Sequence, residues 1–459
     1  MQMSFLKDAL NHLRSRKFGL HGGECQCNCQ MCAGNGSNSI CSSIAHTYSG
    51  VTELWESVVC PKQEGELFHN RKCLMGECKN CGVQKLLCCP LETRKGGLSI
   101  TVKVFAFVDI MDKAGNTRKR KDLLNREMQT SEFLAFLKSK LRIFITHNYL
   151  ARWQSQQFKE CIQSFPDDVV VSVVDFAENY SFKEQNEIQS MHWHSSQVSI
   201  LVHITYIKKA GDIIKTVHFF ISDDTVHDTL FVQHCFMLHF GWLKEQSISI
   251  KSHWVWSDGA ASQFKARRPF YFVARYASLT GVQMSWFFSA SGHGKGEHDG
   301  AGAVVKRTLT HEQLKADGPK LTCAADVVAY CRANLSEGAD ACYASKQRKI
   351  ARVFWEVKVG EVNRELKWNC QPIPKSRTLH AVRGYNPRDP TGLATRQLAC
   401  FCDACMHGHW NRCINKSHVP AWDYHILEPL AESEPLPDDE EGLDVALYEG
   451  HHDVLSNAL

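Results

Sequence analysis

No stretch of this chain approaches 18 uncharged apolar residues, the length a helix needs to cross a bilayer. The opening segment, MQMSFLKDALNHLRSRKFGLHGG, is broken by charges and has no apolar core of the signal type, so no secretory leader is expected. Charge of one sign is also in short supply. A formal net charge of +4 is too small to make the whole surface a polyanion receptor, and any such surface must be local. The acidic end, EPLPDDEEGLDVALYEGHHD, leaves the remainder correspondingly basic. A Walker loop is missing too: no serine or threonine follows Lys295 in GHGKGEHDG, and no loop of the required length precedes it. That excludes a nucleoside triphosphate site of this kind.

Cysteine, in contrast, is abundant. Twenty-one cysteines in 459 residues would suit a disulfide scaffold only in a short secreted chain. The expectation here is an intracellular, reduced protein in which clustered thiols hold zinc. Hydrophobic residues at 44% and charged residues at 22% have the balance of a globular protein, and the length allows about three units of roughly 150 residues.

The cysteines gather at residues 25 to 41, 60 to 89 and 400 to 413. In CPKQEGELFHNRKCLMGECKNCG, Cys78 and Cys81 form a C-x2-C knuckle, and Cys73 with Cys60 or His69 can complete a tetrahedral set; Cys88 and Cys89 follow closely. In CFCDACMHGHWNRC the set is Cys400, Cys402, Cys405 and Cys413, with His407 and His409 as rivals. The first group, Cys25, Cys27, Cys29 and Cys32 with Cys41 beyond, fits either zinc or a flexible segment.

Between these flanks, SEFLAFLKSKLRIFITHNYLARWQSQQFKECIQSF has apolar residues at helical spacing and reads as two helices, preceded by the basic run TRKRKDLLNR. From residue 168 the period shortens. DVVVSVVDF, VSILVHITYIKK and IIKTVHFFIS read as strands, the last two joined by the turn KAGD. A helical stretch, the strand SISIKSHWVWS, a second helix, the strand VQMSWFFSAS and a third helix follow. The order β, β, β, α, β, α, β, α is that of the ribonuclease H fold, an α/β core built on a mixed five-stranded sheet.

Within that order three acids fall at strand ends. Asp175 closes the first strand and Asp258 directly follows the fourth. Asp299 or Glu297 begins the helix after the fifth. Carboxylates collected at one edge of such a sheet are hard oxygen ligands suited to Mg²⁺ or Mn²⁺, and two such ions activate and stabilise the oxygens of a phosphodiester exchange. Any single acid after a strand is ordinarily a turn residue or a helix cap; three in the expected places point further. Nearby, His293 and Lys295 lie in a glycine-rich loop, Lys265, Arg267 and Arg268 follow Asp258, Lys306 and Arg307 follow Asp299, and His192 and His194 precede the second strand. These are the candidate DNA contacts, with a solvated surface as the plain alternative.

The segments VVDFAENYSF, WSDGAASQFK and GHGKGEHDGAGAVVKR resemble the catalytic core of transposon-derived DDE/D transposases of the retroviral-integrase superfamily. The resemblance implies a metal-dependent nuclease and strand transferase using Asp175, Asp258 and Asp299, with Glu297 open for the third place. It also implies two Mg²⁺ or Mn²⁺ ions, transposon-end and target DNA as partners, a homo-oligomer, no membrane and a nuclear location, the last supported by TRKRK. Phe176 and Ala177 follow Asp175, which argues against an acidic exonuclease with a second acid two places on. A zinc-rich, catalytically dead DNA-binding descendant, or a nuclease of the same fold, is the alternative.

The expected layout is a zinc-binding region at 1–95, a mostly helical connecting or DNA-binding segment at 96–165, the catalytic domain at 166–315, a helical extension at 316–390, a zinc module at 391–427 and an acidic, disordered tail at 428–459.

Overall fold

The protein is described by a computed structural model, which covers residues 6, 7, 9, 50–86, 99–111, 117–183, 196–336, 350–365, 370–385 and 389–428. The chain divides into two compact units, Met1–Arg152 and Trp153–Leu459. The first cysteine group, Cys88, Cys89, His192, His194 and the acidic tail from 429 lie outside the described residues.

In the first unit, short helices α1 (Val51–Glu56) and α2 (Arg71–Leu74) precede a hairpin of β1 (Ser99–Met111) and β2 (Thr117–Gln129). The hairpin corrects the expectation of a mostly helical segment from 96 to 165, and the basic run TRKRK lies on β2. The reason is a period of two: Val102 and Val104 are buried while Thr101, Lys103 and Phe105 face outward. The two helices expected next are one, α3 (Thr130–Ser164), 35 residues long, with its residues up to Arg152 in the first unit and those from Trp153 in the second. It contains neither glycine nor proline to interrupt it, and it stops two residues short of Pro166.

The second unit is built on a nine-stranded sheet ordered β11-β10-β9-β7-β6-β3-β4-β5-β8. β3 (Val169–Ser181), β4 (Gln197–Lys209) and β5 (Asp212–Ser222) form an antiparallel meander. Ala210 and Gly211, both at positive φ, make its two-residue turn. After α4 (Thr229–Glu245), β6 (Ser252–Ser257) pairs parallel to β3. After α5 (Arg267–Thr280), β7 (Gln283–Phe288) pairs parallel to β6. α6 (Glu297–Gln313) and α7 (Ala324–Asn334) follow. The order of elements expected from residue 168 to the start of α6 is therefore the order found.

Both faces of β3 are covered, which is why its sequence is a run of β-branched residues rather than an alternation. Val169, Val171 and Val173 pack in one core with Val305 and Leu309 of α6 and Val327 and Val328 of α7. Val170 and Val174 pack in the opposite core with Phe236 and Phe240 of α4 and Phe270 and Val273 of α5.

Beyond α7 the chain departs from the expected helical extension. β8 (Ala351–Glu356) pairs parallel to β5 at one edge, and β9 (Ala381–Gly384) pairs antiparallel to β7 toward the other. β10 (Gly392–Arg396) and β11 (Asp423–Ile426) extend that second side. The C-terminal cysteine segment, with its single helical turn α8 (Asp403–Met406), is thus the connection between two strands of the main sheet. Among the described residues no helix is long and apolar enough to cross a membrane.

Candidate functional site

The register of β3 with β6 brings the first two acids together. Its last pair is Val173 with Trp256, so two residues on, along the same face of parallel neighbours, stand Asp175 and Asp258. Strands about 4.8 Å apart put such carboxylates within each other's field. Burial raises the Asp258 carboxyl above its ordinary range, the Ala260 N–H donating to Oδ1 at 3.0 Å counteracts this, and the charge of Asp175 adds to the rise.

Two glycines let the rest of the site close in. A Cβ on Gly294 would lie 2.9 Å from Cβ of Asp258, so the glycine-rich loop touches the acid with bare backbone. A Cβ on Gly302 would lie 3.1 Å from Cβ of Ala177, so α6 sits close against β3.

The start of α6 separates the two rivals for the third acid. Glu297 accepts hydrogen bonds from Tyr206 Oη at 3.1 Å and from Lys215 Nζ at 2.7 Å, which hold it toward β4 and β5. Asp299 accepts the Gly296 N–H at 2.7 Å, so it does act as a helix cap. Between them lies His298, which the sequence reading passed over. Its Nε2 is 3.3 Å from Asp175 Oδ2 and 3.2 Å from Asp299 Oδ2, and its side chain is only 6% exposed. Neither ring nitrogen has an aligned hydrogen bond. The signal was an imidazole between two acids at a helix start, easily hidden by the glycines around it.

The candidate DNA contacts divide. His293, Lys295 and Arg307 are exposed, and Arg268 is half-buried. Lys306 donates to the Glu178 carbonyl at 3.2 Å. Lys265 and Arg267 are buried, contrary to an exposed phosphate-binding role. Lys265 donates to the Arg377 carbonyl at 2.8 Å and lies over the Phe288 ring, where its charge acts on Asp258.

Two cysteine tetrads have ligand atoms gathered within 4.8 Å: Cys60, Cys73, Cys78 and Cys81, and Cys400, Cys402, Cys405 and Cys413. A tetrahedral zinc with bonds of about 2.3 Å holds its sulfurs roughly 3.8 Å apart. The sulfurs of Cys60 and Cys78 are 3.9 Å apart, those of Cys400 and Cys413 3.6 Å, and those of Cys402 and Cys413 3.9 Å. Each tetrad also has an N–H donor aimed at sulfur, Asn80 N to Cys78 at 3.4 Å and Asn415 Nδ2 to Cys400 at 3.3 Å. Such donors stabilise thiolate ligands. The Asn80 N–H is the main reason the Cys78 thiol is lowered to about 7; the Cys405 thiol beside Cys400 lowers that group to about 5. Burial pushes Cys81 up to about 12 and Cys413 up to about 11. Both tetrads are therefore able to hold zinc.

His69 is not a ligand, which corrects its candidacy. Its Nδ1 lies 2.9 Å from the Cys60 carbonyl oxygen and its ring meets Trp55 edge-on, so it braces the ligand loop. His407 and His409 are likewise outside the second tetrad; His407 Nδ1 lies 2.9 Å from the Asp403 carbonyl oxygen.

A third gathering, His203, His239 and His253, is fully buried beneath the sheet. One nitrogen of each ring, Nε2, is already engaged by a hydroxyl, while Nδ1 of His203 and of His239 has no hydrogen bond. Ser172 Oγ lies 2.6 Å from His203 Nε2 and 2.7 Å from His253 Nε2, and Thr205 Oγ1 lies 2.8 Å from His239 Nε2. We read this as a buried polar network rather than an ion site. The acids and His298 are not drawn together as tightly as any of these three groups.

Fold and site together define a mixed α/β protein carrying two cysteine tetrads of zinc-binding geometry and an acidic cluster where the pairing of two adjacent parallel strands ends. The chain belongs to the family described as a domain of unknown function (DUF8701), whose model matches residues 154–388, slightly more than half its length. No curated protein and no solved structure matches it.

Proposed function

We propose that this protein is a DNA transposase, or a domesticated derivative of one, acting through a ribonuclease H-like core with Asp175, Asp258 and Asp299 as its acids. The observation that carries this reading is the register of β3 and β6, which sets Asp175 beside Asp258 on one face while α6 brings Asp299 to the same edge. The strand sequence β5-β4-β3-β6-β7, antiparallel through the meander and parallel thereafter, is the arrangement expected of such a core.

In this reading Asp175, Asp258 and Asp299 are the residues that would hold two divalent ions. The ions would supply an activated attacking oxygen and a stabilised leaving oxygen. The chain's own part is positional. The close packing at Gly302 fixes α6 against β3, the bare backbone at Gly294 admits the loop, and exposed His293, Lys295 and Arg307 face solvent where a phosphate backbone would be met. Zinc in the two tetrads would stiffen segments with little core of their own, in keeping with DNA handling in the nucleus by a homo-oligomer.

A second reading is favoured by one contact: Asp299 is committed to the Gly296 N–H, as in a purely structural cap. A zinc-stabilised DNA-binding protein with a silent centre would keep that contact. Nicking of duplex DNA carrying the host element's end sequences, in Mg²⁺ or Mn²⁺, separates the two. Activity should vanish in Asp175→Ala and Asp258→Ala. Activity that survives both substitutions refutes the triad, and DNA binding without any cleavage favours the second reading.

A further inference from the structure

At the start of α6 one buried polar side chain, His298, has no aligned hydrogen bond. His298 is almost completely buried, and a buried imidazole ordinarily has a hydrogen-bond partner on at least one nitrogen. Here neither nitrogen has one, although Nε2 lies against carboxylate oxygens from two different elements. A charged hydrogen bond between such groups is shorter, about 2.7–2.9 Å, and aligned. The 3.3 Å between His298 Nε2 and Asp175 Oδ2, without alignment, is instead close to the spacing of neighbouring ligands around one ion, roughly 3.0 Å for bonds of about 2.1 Å at right angles.

The flanking residues are otherwise occupied. Glu297 is held by Tyr206 and Lys215, and Asp299 has its oxygen on the Gly296 N–H. His298 alone in this turn is buried, without an aligned hydrogen bond, and set against Asp175.

We infer that His298 is a direct ligand of the divalent ion held by Asp175, giving that ion a mixed nitrogen and oxygen set. The inference rests on the proposed reading only for the presence of a divalent cation at Asp175. It deepens that reading by naming the metal. Carboxylates and water suit Mg²⁺ and Mn²⁺ alike, whereas an imidazole nitrogen favours the transition ion. The site therefore prefers Mn²⁺ to Mg²⁺.

The test uses the full chain, saturated with zinc so that the cysteine tetrads are filled, and titrates Mn²⁺ by electron paramagnetic resonance. Wild type should bind Mn²⁺ and show a nitrogen hyperfine coupling in pulsed spectra. His298→Ala should lose the coupling and bind Mn²⁺ more weakly by at least the ~10–100-fold that loss of an outer-shell partner costs, with a smaller change for Mg²⁺. His298→Gln, close in size and lacking the ring, should behave alike and guards against loss of the fold, with unchanged zinc content and melting as the check. Asp175→Asn should abolish Mn²⁺ binding altogether. If the coupling and affinity persist in both His298 variants while Asp175→Asn abolishes binding, the ligand role is overturned and the metal-centre reading stands. If wild type binds neither ion, or if Asp175→Asn binds as well as wild type, the metal-centre reading itself fails and this inference with it.

Discussion

Single side chains decide whether this site exists at all. Gly294 is the sharpest case: an added methyl would sit 2.9 Å from Cβ of Asp258 and must displace either the loop or the acid. On the proposed function, Gly294→Ala should therefore reduce metal-dependent cleavage by about tenfold or more while changing the melting temperature little, since the loop around it is largely exposed; kinetics beside a thermal melt would check this. A variant equal to wild type in cleavage would show that the loop does not support Asp258. At the tetrads the expected effect is on the fold. Cys405→Ser should lower the zinc content by one ion per chain and cost several kcal/mol, because the metal's binding energy is folding energy. His69→Ala should leave the zinc count unchanged, as its ring touches the Cys60 carbonyl and not the ion's place.

Among the elements, the sheet and α4 carry an unusual polar load. Four histidines, His203 on β4, His218 on β5, His239 on α4 and His253 on β6, are fully buried. Burial holds His218 and His253 down to about 3 and His203 and His239 well below their ordinary value. In the unfolded chain these groups titrate near 6.5, so below that pH the unfolded state binds more protons than the folded one. Their contribution is complete above pH 6.5 and is lost as pH falls from 6.5 toward about 3. Each histidine should cost about 1.4 kcal/mol per pH unit in that window. Urea unfolding of the zinc-loaded protein at pH 7.5, 6 and 5 should show the fall, and His218→Phe should flatten it. An equal slope in the variant would mean the network is not its source. The helix α6 offers a second check at this scale. Gly302→Val would force Ala177 and α6 apart and should weaken both stability and Mn²⁺ binding, measured by melting and by titration.

At the scale of the whole molecule, the second tetrad is part of the main sheet and not an appendage. Its cysteines lie between β10 and β11, which close the side of the sheet beyond β9. Buried Arg383 on β9 stacks on Trp410, 3.4 Å from the ring centroid, and Arg396 on β10 lies over Trp422, tying that loop to the strands. Removing zinc with a chelator should therefore raise amide exchange along β9, β10 and β11 well before β3, β4 and β6, which are covered on both faces. Uniform exchange along the sheet would contradict this division.

The sequence by itself determined the local things. Runs of β-branched residues from 168 to 222 specified strands, KAGD specified their turn, and cysteine spacing marked the two metal-ligand segments while leaving histidine rivals open in each, because period and spacing are written in neighbouring residues. Asp258 could be placed directly after a strand for the same reason, whereas Asp175, expected to close its strand, lies within β3, which runs on to Ser181. What only the tertiary structure decided concerns partners far apart in the chain. The sheet has nine strands because short segments after residue 350 add to its sides, and strands of four to six residues carry almost no periodic signal. Lys265 and Arg267 look like surface charges until the fold buries them, and His69 looks like a ligand until Cys60 fills its place. His298 became visible only when α6 packed against β3. Its meaning depends on Asp175, more than a hundred residues earlier, and no spacing along a chain records a distance of 3.3 Å across it.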